Sequence, residues 1–559
     1  MGRRSERPTC GIVAAAVAAA LAACALLLPS CASGEATVLP LAGGEAAVSE
    51  DGAASEAESG GATEAKASDD PEDPGDAEAS AADLDEADEG ASPEGLEPTG
   101  DELAARMDAY LAANFPRAGA PGLAVAVVDA GGVRYLRTFG DCPDADAPFV
   151  VGSLSKSFTA VAVMQLVEQG AVDLDAPASR YAPGYDVPDE VTVRSLLNQT
   201  SGFGAYDSLA EAADGELGET FGAFSYANAN YDLLGRVVEG ASGEDYACYL
   251  DEHVLEPLGM ASTTADPARA EALGMVPGHR DWFGLPVADG FRHAQGDGAW
   301  GGPASGYVAS SVRDMASYLR MYLNGGMGDG ARVLSADSVR RMFLDRVPDP
   351  EGDTYYGMGW TSFSWDDGEL VLSHDGQVEN YTASMCLLPE RGIGIVALSD
   401  ANDNAGGNIR FFDLVGGVVS VAIGGTGQPM DDAWTWAWRQ RVDVLYASAL
   451  LLAVSPLLLT GRWRRRLSAA CRGGVAPIVR ARSLRMLLVR GVLLHVALPA
   501  CILALPFVWG VPWRDLLTFS PDVSTVLLAS AGLLVVAGAV RLAAAVTLRN
   551  DEPPPSIMR

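Results

Sequence analysis

The spacing of apolar positions in the middle of the chain predicts both strands and helices. Two runs of mostly apolar residues separated by a glycine turn are typical of a hairpin, and three more strand-like runs lie near residue 385. Two other segments carry apolar residues at helical spacing. The predicted strands are Gly122–Asp129, Val133–Phe139, Glu369–Ser373, Tyr381–Leu388 and Ile393–Ser399, and the predicted helices are Ser157–Gln169 and Tyr231–Glu239. Strands at both ends with helices between them predict an α+β domain over residues 101–430.

Residues 431–559 contain three longer apolar runs, which predict a membrane region rather than more of the same domain. Each run is long enough to cross a bilayer as a helix. The runs are Val442–Thr460, Gly491–Val511 and Val523–Val540. The connector Arg462 to Arg490 holds nine arginines and no acid, which is typical of a cytoplasmic loop. The preceding domain is therefore predicted to lie on the outer face of a bacterial cell membrane, in a multi-pass protein.

Residues 1–33 have the features of an export signal. Arg3, Arg4 and Arg7 precede the apolar run Gly11–Leu28, and small and polar residues follow it. The run Leu-Ala-Ala-Cys24 resembles a lipoprotein signal and makes Cys24 a candidate for acylation. An ordinary cleaved signal peptide and an uncleaved membrane anchor are the alternatives.

Residues 34–100 are predicted to be a disordered acidic linker. They have almost no large apolar side chains, so they cannot bury enough surface to offset the entropy of ordering. Between Glu45 and Glu102 there are twenty-one acids and one base, Lys66. The formal net charge of −36 is therefore largely a property of this segment, and it argues against nucleic-acid binding.

Cysteine and histidine give no sign of a disulfide framework, a metal site or another cofactor. Of the eight cysteines, Cys142, Cys248 and Cys386 fall in the predicted domain. They are odd in number and lack motif spacing, so we interpret them as small buried apolar residues. The five histidines lack metal-ligand spacing. We therefore expect neither a metal nor a cofactor.

One of the two lysines lies in a sequence that suggests catalysis. The chain has 36 arginines but only Lys66 and Lys156, and arginine cannot replace lysine as a proton acceptor. Lys156 follows Ser153 by three residues at a predicted helix start, which puts both side chains on one face. A neutral amine there can take the Ser153 hydroxyl proton, and the helix dipole would favour the alkoxide. Ser155 and Ser157 lack this spacing.

From this serine outwards, residues 105–425 resemble the serine β-lactamases, penicillin-binding D,D-peptidases and related esterases, in the class C branch. The order and approximate spacing of several segments carry the resemblance. These are Gly152-Ser-Leu-Ser-Lys-Ser-Phe-Thr-Ala160, Gln165–Pro177, Leu196-Leu-Asn-Gln-Thr-Ser-Gly202, Phe224-Ser-Tyr-Ala-Asn228, Tyr231–Gly235, Glu256–Met260, Ser310–Ala316 and Leu323–Gly326. The resemblance implies an antiparallel sheet flanked by helices, together with a helical subdomain.

The family's Tyr-x-Asn motif falls on Tyr226 and Asn228. The resemblance implies that Tyr226 is a general base, pushed toward the phenolate by the nearby ammonium and sharing a proton with Lys156. Asn228 would orient Lys156 and bind a substrate carbonyl. A buried tyrosine followed by a helix-capping asparagine is the alternative interpretation.

The family's third motif, usually Lys-Thr-Gly or His-x-Gly, falls on His374-Asp-Gly376. Gly376 would let the backbone approach the substrate, and the N–H groups of Ser153 and Gln377 would form an oxyanion hole. His374 lacks the permanent charge with which the lactamase lysine would clamp a penicillin-type carboxylate. Gln199 also stands where relatives often carry histidine.

The resemblance implies a serine hydrolase that forms an acyl-enzyme at Ser153. Its expected substrates are small-molecule or peptide acyl compounds, such as D-amino-acid or cell-wall-related esters and amides, and its expected surroundings are a membrane rather than nucleic acid. A true β-lactamase and a non-catalytic ligand-binding sensor are the alternatives. The sequence leaves the oligomeric state open.

Overall fold

The computed structural model describes residues 100–350, 352–365, 367–404, 407–430, 432–471 and 477–550. The predicted export signal, Cys24 and the acidic linker up to residue 99 lie outside the described residues. The strands are β1 Gly122–Asp129, β2 Gly132–Gly140, β3 Phe149–Val150, β4 His279–Trp282, β5 Leu285–Val287, β6 Ala309–Ser310, β7 Val347–Pro348, β8 Tyr355–Gly357, β9 Trp360–Ser364, β10 Leu370–Val378, β11 Tyr381–Leu388, β12 Ile393–Ser399 and β13 Ala401–Asn402.

Helices fill the segments between and after the strands. The α-helices are α1 Gly100–Ala118, α2 Ser155–Glu168, α3 Val193–Leu197, α4 Leu209–Ala212, α5 Asn228–Ser242, α6 Tyr246–Leu250, α7 Glu256–Leu258, α8 Pro267–Ala272, α9 Val312–Leu323, α10 Ala336–Leu344, α11 Asn408–Ala422, α12 Asp432–Leu458, α13 Thr460–Cys471, α14 Pro477–Val492, α15 Leu498–Leu503, α16 Leu505–Trp509, α17 Trp513–Phe519 and α18 Pro521–Asn550. Short 3₁₀ turns cover Gly152–Leu154 and Ala178–Arg180, and π-helical turns cover Asp251–Leu255 and Leu493–Ala497.

An antiparallel sheet of eight strands, in the order β2-β1-β12-β11-β10-β9-β8-β7, forms the centre of the domain. The predicted hairpin and the three predicted C-terminal strands are confirmed. The predicted strand Glu369–Ser373 extends further than expected, because its pairing with β11 continues to Val378. This extension carries His374 to Gln377 into the sheet.

Both faces of the sheet are buried, as the alternation along β1 illustrates. Leu123, Val125 and Val127 pack into a core that includes α1 and α11. Ala124 and Ala126 point the other way, into the larger core that contains the helices after residue 155. Side chains on a strand alternate between faces, so a strand with apolar residues at every position must be covered on both sides. The α+β fold class is therefore confirmed.

The two predicted helices are longer at their N-terminal ends than the sequence indicated. Helix α2 begins at Ser155 rather than Ser157, and it is apolar nearly all round because the core surrounds it. Helix α5 begins at Asn228 rather than Tyr231 and ends at Ser242. The next residue, Gly243, adopts the left-handed conformation typical of a helix C-terminus (φ 80°). Both extensions bring predicted site residues into helix starts.

The interpretation of the cysteines is correct for two of three. Cys142 and Cys386 are buried, but Cys248 is exposed. Cys248 lies on α6, whose neighbouring residues Tyr249 and Leu250 occupy the buried face, so its side chain is left on the solvent side. Within the described part of the chain, these three cysteines are all unpaired.

Long apolar helices follow the domain. Among the described residues, Ile478–Leu503 and Pro521–Leu548 are long and apolar enough to cross a membrane, and a third span results if α12 and α13, bent by 47°, act together. The stretch Ile478–Leu503 starts earlier and ends earlier than the predicted run Gly491–Val511. Arginine is a good helix former, so the helix continues back through the arginine-rich residues, whereas Pro506 and Gly510 (φ 68°) interrupt it afterwards.

Candidate active site

Ser153 and Lys156 lie at the start of the buried helix α2. Ser153 is in the 3₁₀ turn that leads directly into α2, and Lys156 is the second residue of that helix. Their separation of three residues is close to one turn, so both side chains emerge on the same face. The Lys156 Nζ lies 3.1 Å from the Ser153 Oγ. The serine remains partly accessible, whereas the lysine is fully buried.

The Lys156 amine has three polar neighbours whose chemistry suits a neutral base. Its Nζ donates to Asn228 Oδ1 and to the Ser305 carbonyl, each at 2.7 Å. A neutral amine has two N–H donors for these two acceptors, which leaves its lone pair for the Ser153 hydroxyl. Burial lowers the Lys156 pKa from 10.5 to about 7, although the carboxylate of Asp232 opposes the shift. The amine can therefore accept a proton near neutral pH.

Tyr226 stands on the other side of the nucleophile. Its phenolic O–H donates to Ser153 Oγ at 2.8 Å, and the Lys156 Nζ lies 4.7 Å from the centroid of its ring. Gln199 supports this segment, because its side-chain oxygen accepts from the Ala227 N–H at 3.0 Å. Gln199 adopts a left-handed backbone (φ 60°), which is uncommon for a residue other than glycine. The structure thus brings Ser153, Lys156, Tyr226 and Asn228 together.

The protonation state of Tyr226 differs from the sequence-based expectation. Burial, and then the neighbouring Tyr356 phenol, raise the pKa of Tyr226 well above its usual value of 10.0, and the hydrogen bond to Ser153 offsets only part of this effect. The expected phenolate is therefore disfavoured in the free site. The desolvation of its buried charge outweighs the attraction of the nearby Lys156 amine, whose own pKa is lowered. The protonated Tyr226 hydroxyl is the hydrogen-bond donor to Ser153 Oγ.

Two glycines allow strand β10 to approach the nucleophile closely. A β-carbon on Gly376 would collide with the Val151 carbonyl oxygen, and one on Gly152 (φ 59°) would lie 2.6 Å from the Gln377 nitrogen. Only glycine fits at either point without moving the backbone. The backbone next to Ser153 therefore lies against the backbone at Gly376 and Gln377.

His374 borders the site but carries no charge. It is buried, with Nε2 3.3 Å from the Tyr356 hydroxyl and Nδ1 2.8 Å from the Asp375 carbonyl. Its ring centroid lies 6.4 Å from that of Tyr226. Burial, and then the nearby Lys156, lower the His374 pKa from 6.5 to about 3. The side chain is thus a neutral imidazole at physiological pH and cannot act as a fixed positive charge.

Three residues that were not predicted from the sequence also contribute to the site: Asp232, Ser305 and Tyr356. Asp232 accepts a hydrogen bond from the Gly302 N–H at 2.9 Å, and the same N–H lies 3.0 Å from Ser305 Oγ. The Ser305 carbonyl in turn binds Lys156. Asp232 lies within the family-like segment Tyr231–Gly235, four residues after Asn228 on the same helix, and this spacing could have identified it. Ser305 lies in a loop and Tyr356 in the short strand β8, and neither sequence has a distinctive pattern.

Two groups of side chains in the described residues have ligand atoms close enough to hold a metal ion. One is Glu244, Glu252 and His253, and the other is Asp281, Asp443 and Asp522, with all ligand atoms of a group within 4.8 Å of one another. Neither group includes a residue of the Ser153 site. The second group joins the domain to α12 and α18.

Comparison with known proteins places this geometry in a family. Residues 101–413 match the β-lactamase family, which is more than half of the 559 residues. Penicillin-binding protein 4 of Amycolatopsis lactamdurans is 29% identical over 312 residues, which cover 50% of this chain and 79% of that protein. Protein flp of Staphylococcus aureus (strain MW2) is 24% identical over 326 residues, 53% of this chain and 63% of flp, so the match spans less than two thirds of that relative.

A solved class C β-lactamase from Rhodobacter sphaeroides superimposes with a TM-score of 0.48 at 21% identity, covering 56% of this chain and all of the other. The match over residues 101–413 coincides with the domain that carries the Ser153 site. The residues after the match include the long apolar helices. The chain belongs to the β-lactamase family of serine hydrolases, in which penicillin-binding proteins are its relatives.

Proposed function

We propose that this chain is a membrane-anchored peptidase or esterase that forms an acyl-enzyme at Ser153 and acts on D-amino-acid or cell-wall-related acyl substrates. The observation that carries the proposal is the position of Ser153 Oγ, 3.1 Å from the Lys156 amine and 2.8 Å from the Tyr226 hydroxyl. A serine hydroxyl is a weak nucleophile until a neighbouring base removes its proton. Both the base and a second proton carrier are in contact with it here.

The proposed acylation step moves one proton around this triangle. Lys156 Nζ accepts the hydroxyl proton as Ser153 Oγ bonds to the substrate carbonyl carbon, and the carbonyl oxygen becomes the oxyanion. The N–H groups of Ser153 and Gln377 stabilise that oxygen. Lys156 then returns the proton through Tyr226 to the leaving nitrogen or oxygen, and the bond to the leaving group breaks. Water releases the acyl group by the same steps in reverse order.

The neutral His374 bears on the choice of substrate. A penicillin-type substrate carries a carboxylate, whose recognition is aided by a fixed cation. Burial and Lys156 lower the pKa of His374 to about 3, so this position offers an uncharged donor or acceptor. This favours esters and amides without a carboxylate at that point over β-lactams.

The membrane placement rests on the C-terminal helices. The carboxylates of Asp443 and Asp522 have oxygens within 4.8 Å, which puts the beginnings of two apolar stretches at the same level. Two stretches that begin on one side require the intervening Ile478–Leu503 to cross back. The arginine-rich connector then lies on the opposite side from the domain, which supports an outer-face domain by the positive-inside rule. We propose domain boundaries at 1–33, 34–100, 101–430 and 431–559.

The test compares Ser153→Ala with Ser242→Ala in the full chain. The Ser242 hydroxyl donates to the Val238 carbonyl at the end of α5, so its removal should leave the site intact. We expect Ser153→Ala to lose ester hydrolysis and labelling by a serine-reactive fluorophosphonate, and the control to keep both. Labelling that persists in Ser153→Ala would refute the assigned nucleophile. Rapid turnover of nitrocefin by the unmodified protein would instead identify a β-lactamase, and inertness toward a panel of esters and D-peptides would identify a sensor.

A further inference from the structure

The hairpin β4–β5 presents apolar side chains to its surroundings at the edge of the domain. Leu285 is 65% exposed, Phe283 43% and Val287 38%. Phe283 and Gly284 form the two-residue turn, and both have left-handed backbones (φ 57° and 79°). Asn, Asp and Gly are the usual residues at such positions, because a bulky side chain costs on the order of 1 kcal/mol there. An exposed phenylalanine at this position indicates a role outside the domain's own packing.

The same hairpin lies where the apolar helices begin. The Phe283 N–H donates to Asp522 Oδ2 at 3.1 Å, and Arg280 Nη1 donates to the Thr518 carbonyl at 3.2 Å. Asp522 is the second residue of the stretch Pro521–Leu548, which is long enough to span a membrane. The hairpin tip is therefore level with the first turn of that helix.

The register of the hairpin separates its two faces. Trp282 pairs with Leu285, and Arg280 pairs with Val287, so these four side chains share one face. Asp281 projects from the other face, where its carboxylate meets those of Asp443 and Asp522. Helices α12 and α18 thus meet the Asp281 face. On the opposite face Arg280 reaches the Thr518 carbonyl of α17, while Leu285 and Val287 are left exposed.

We propose that the tip and the apolar face of this hairpin lie in the interfacial layer of the same bilayer that the C-terminal helices cross. The inference rests on the proposed membrane placement. Aromatic and aliphatic side chains at the level where a span begins are stabilised among lipid headgroups and upper acyl chains, and Trp282 has the amphipathic ring that is enriched there. The hairpin provides a second membrane contact besides the spanning helices, and this contact fixes the tilt of the domain.

The test uses the full chain in lipid nanodiscs, with a photoreactive benzoylphenylalanine in place of one residue at a time. Leu285 and Val287 are the test positions. Both side chains are exposed, so we expect the protein to fold when either is replaced. Val133, 48% exposed on strand β2, is the aqueous control, and Leu451, 72% exposed in the α12 span, is the lipid control. After irradiation, mass spectrometry of the digested protein identifies the partner at each position.

We expect lipid adducts at Leu285 and Val287 as well as at Leu451, and none above background at Val133. Adducts at Leu451 but not at either hairpin position would overturn the hairpin proposal while sparing the membrane placement. Cross-links from Leu285 to a second copy of the chain would also overturn it, because the apolar face would then be a protein contact. A lack of lipid adducts at Leu451 would refute the membrane placement itself, and the hairpin proposal with it.

Discussion

Replacement of Asp232 by asparagine should shift the pH dependence of catalysis without removing any group that contacts substrate. Asp232 is joined to the lysine through a short polar path: its carboxylate binds the Gly302 N–H, and the Ser305 carbonyl next in that loop binds Lys156. Its negative charge favours the protonated amine and so raises the Lys156 pKa against the effect of burial. Removal of the charge must therefore lower that pKa further.

The size of the effect follows from the two pKa values. Lys156 has a pKa of about 7, so about half of the amine is neutral at pH 7, whereas an ordinary lysine would be neutral in roughly one molecule in three thousand. Burial raises the Asp232 pKa to about 6, so this carboxyl is ionised when Lys156 titrates. A nearby opposite charge shifts a pKa by about 1–3 units. Because the Asp232 carboxylate keeps some solvent contact, we expect its removal to lower the Lys156 pKa by about one unit.

The assay is kcat/KM for a chromogenic ester as a function of pH. The base form of Lys156 predominates above its pKa, so the acidic limb of the profile has its midpoint near pH 7 in the unmodified protein and about one unit lower in Asp232→Asn. Asp314→Asn is the matched control: it removes another buried carboxylate, which accepts from the Ser262 N–H and the Thr263 hydroxyl. The control should lose stability but keep the midpoint. An unmoved or raised midpoint in Asp232→Asn would refute the reasoning.

Three further substitutions probe separate parts of the site. Lys156→Arg should reduce the fluorophosphonate labelling rate by about 10³-fold, because guanidinium cannot accept the proton; labelling within tenfold of the unmodified rate would contradict this. Gly376→Ala should lower kcat by about 10²–10³-fold, because the new methyl group collides with the Val151 carbonyl and displaces the Gln377 N–H; a thermal melt shows whether folding survives, and full activity would exclude this oxyanion hole. Tyr356→Phe removes the hydroxyl beside His374 Nε2. It should raise the activation free energy by about 1 kcal/mol and so lower kcat roughly fivefold, which steady-state kinetics can detect; an unchanged kcat would show that the contact is dispensable.

The sheet could be predicted from the sequence where strands carry dense β-branched residues and clear turns. Strands β11 and β12 match their predicted bounds at both ends. The range predicted from the apolar pattern ended at Ser373, because His374-Asp-Gly-Gln377 is polar and contains glycine, and the strand conformation of this half of β10 comes from pairing with β11. Tertiary pairing overrides local propensity in such a segment.

The candidate site could be predicted in part, because some of its residues stand in short fixed spacings and others do not. Ser153 and Lys156 are three residues apart on one helix, so local geometry suffices to bring them together. Ser305 approaches Lys156 from a loop about 150 positions away, and only the folded chain reveals that contact. The pKa of Tyr226 also depends on burial, which the sequence does not display. Burial raises this pKa, whereas proximity to an amine alone favours a phenolate.

The scarcity of lysine gives this protein an internal spectroscopic reporter. Lys66 and Lys156 are the only lysines in the chain, so selective ¹⁵N labelling of lysine yields two side-chain amine signals, and Lys66→Arg leaves one. That remaining signal belongs to a buried amine, shielded from the rapid hydrogen exchange that broadens exposed ammonium groups. Nuclear magnetic resonance titration can then follow the ionisation of this one amine in the intact protein, before and after a covalent inhibitor occupies Ser153.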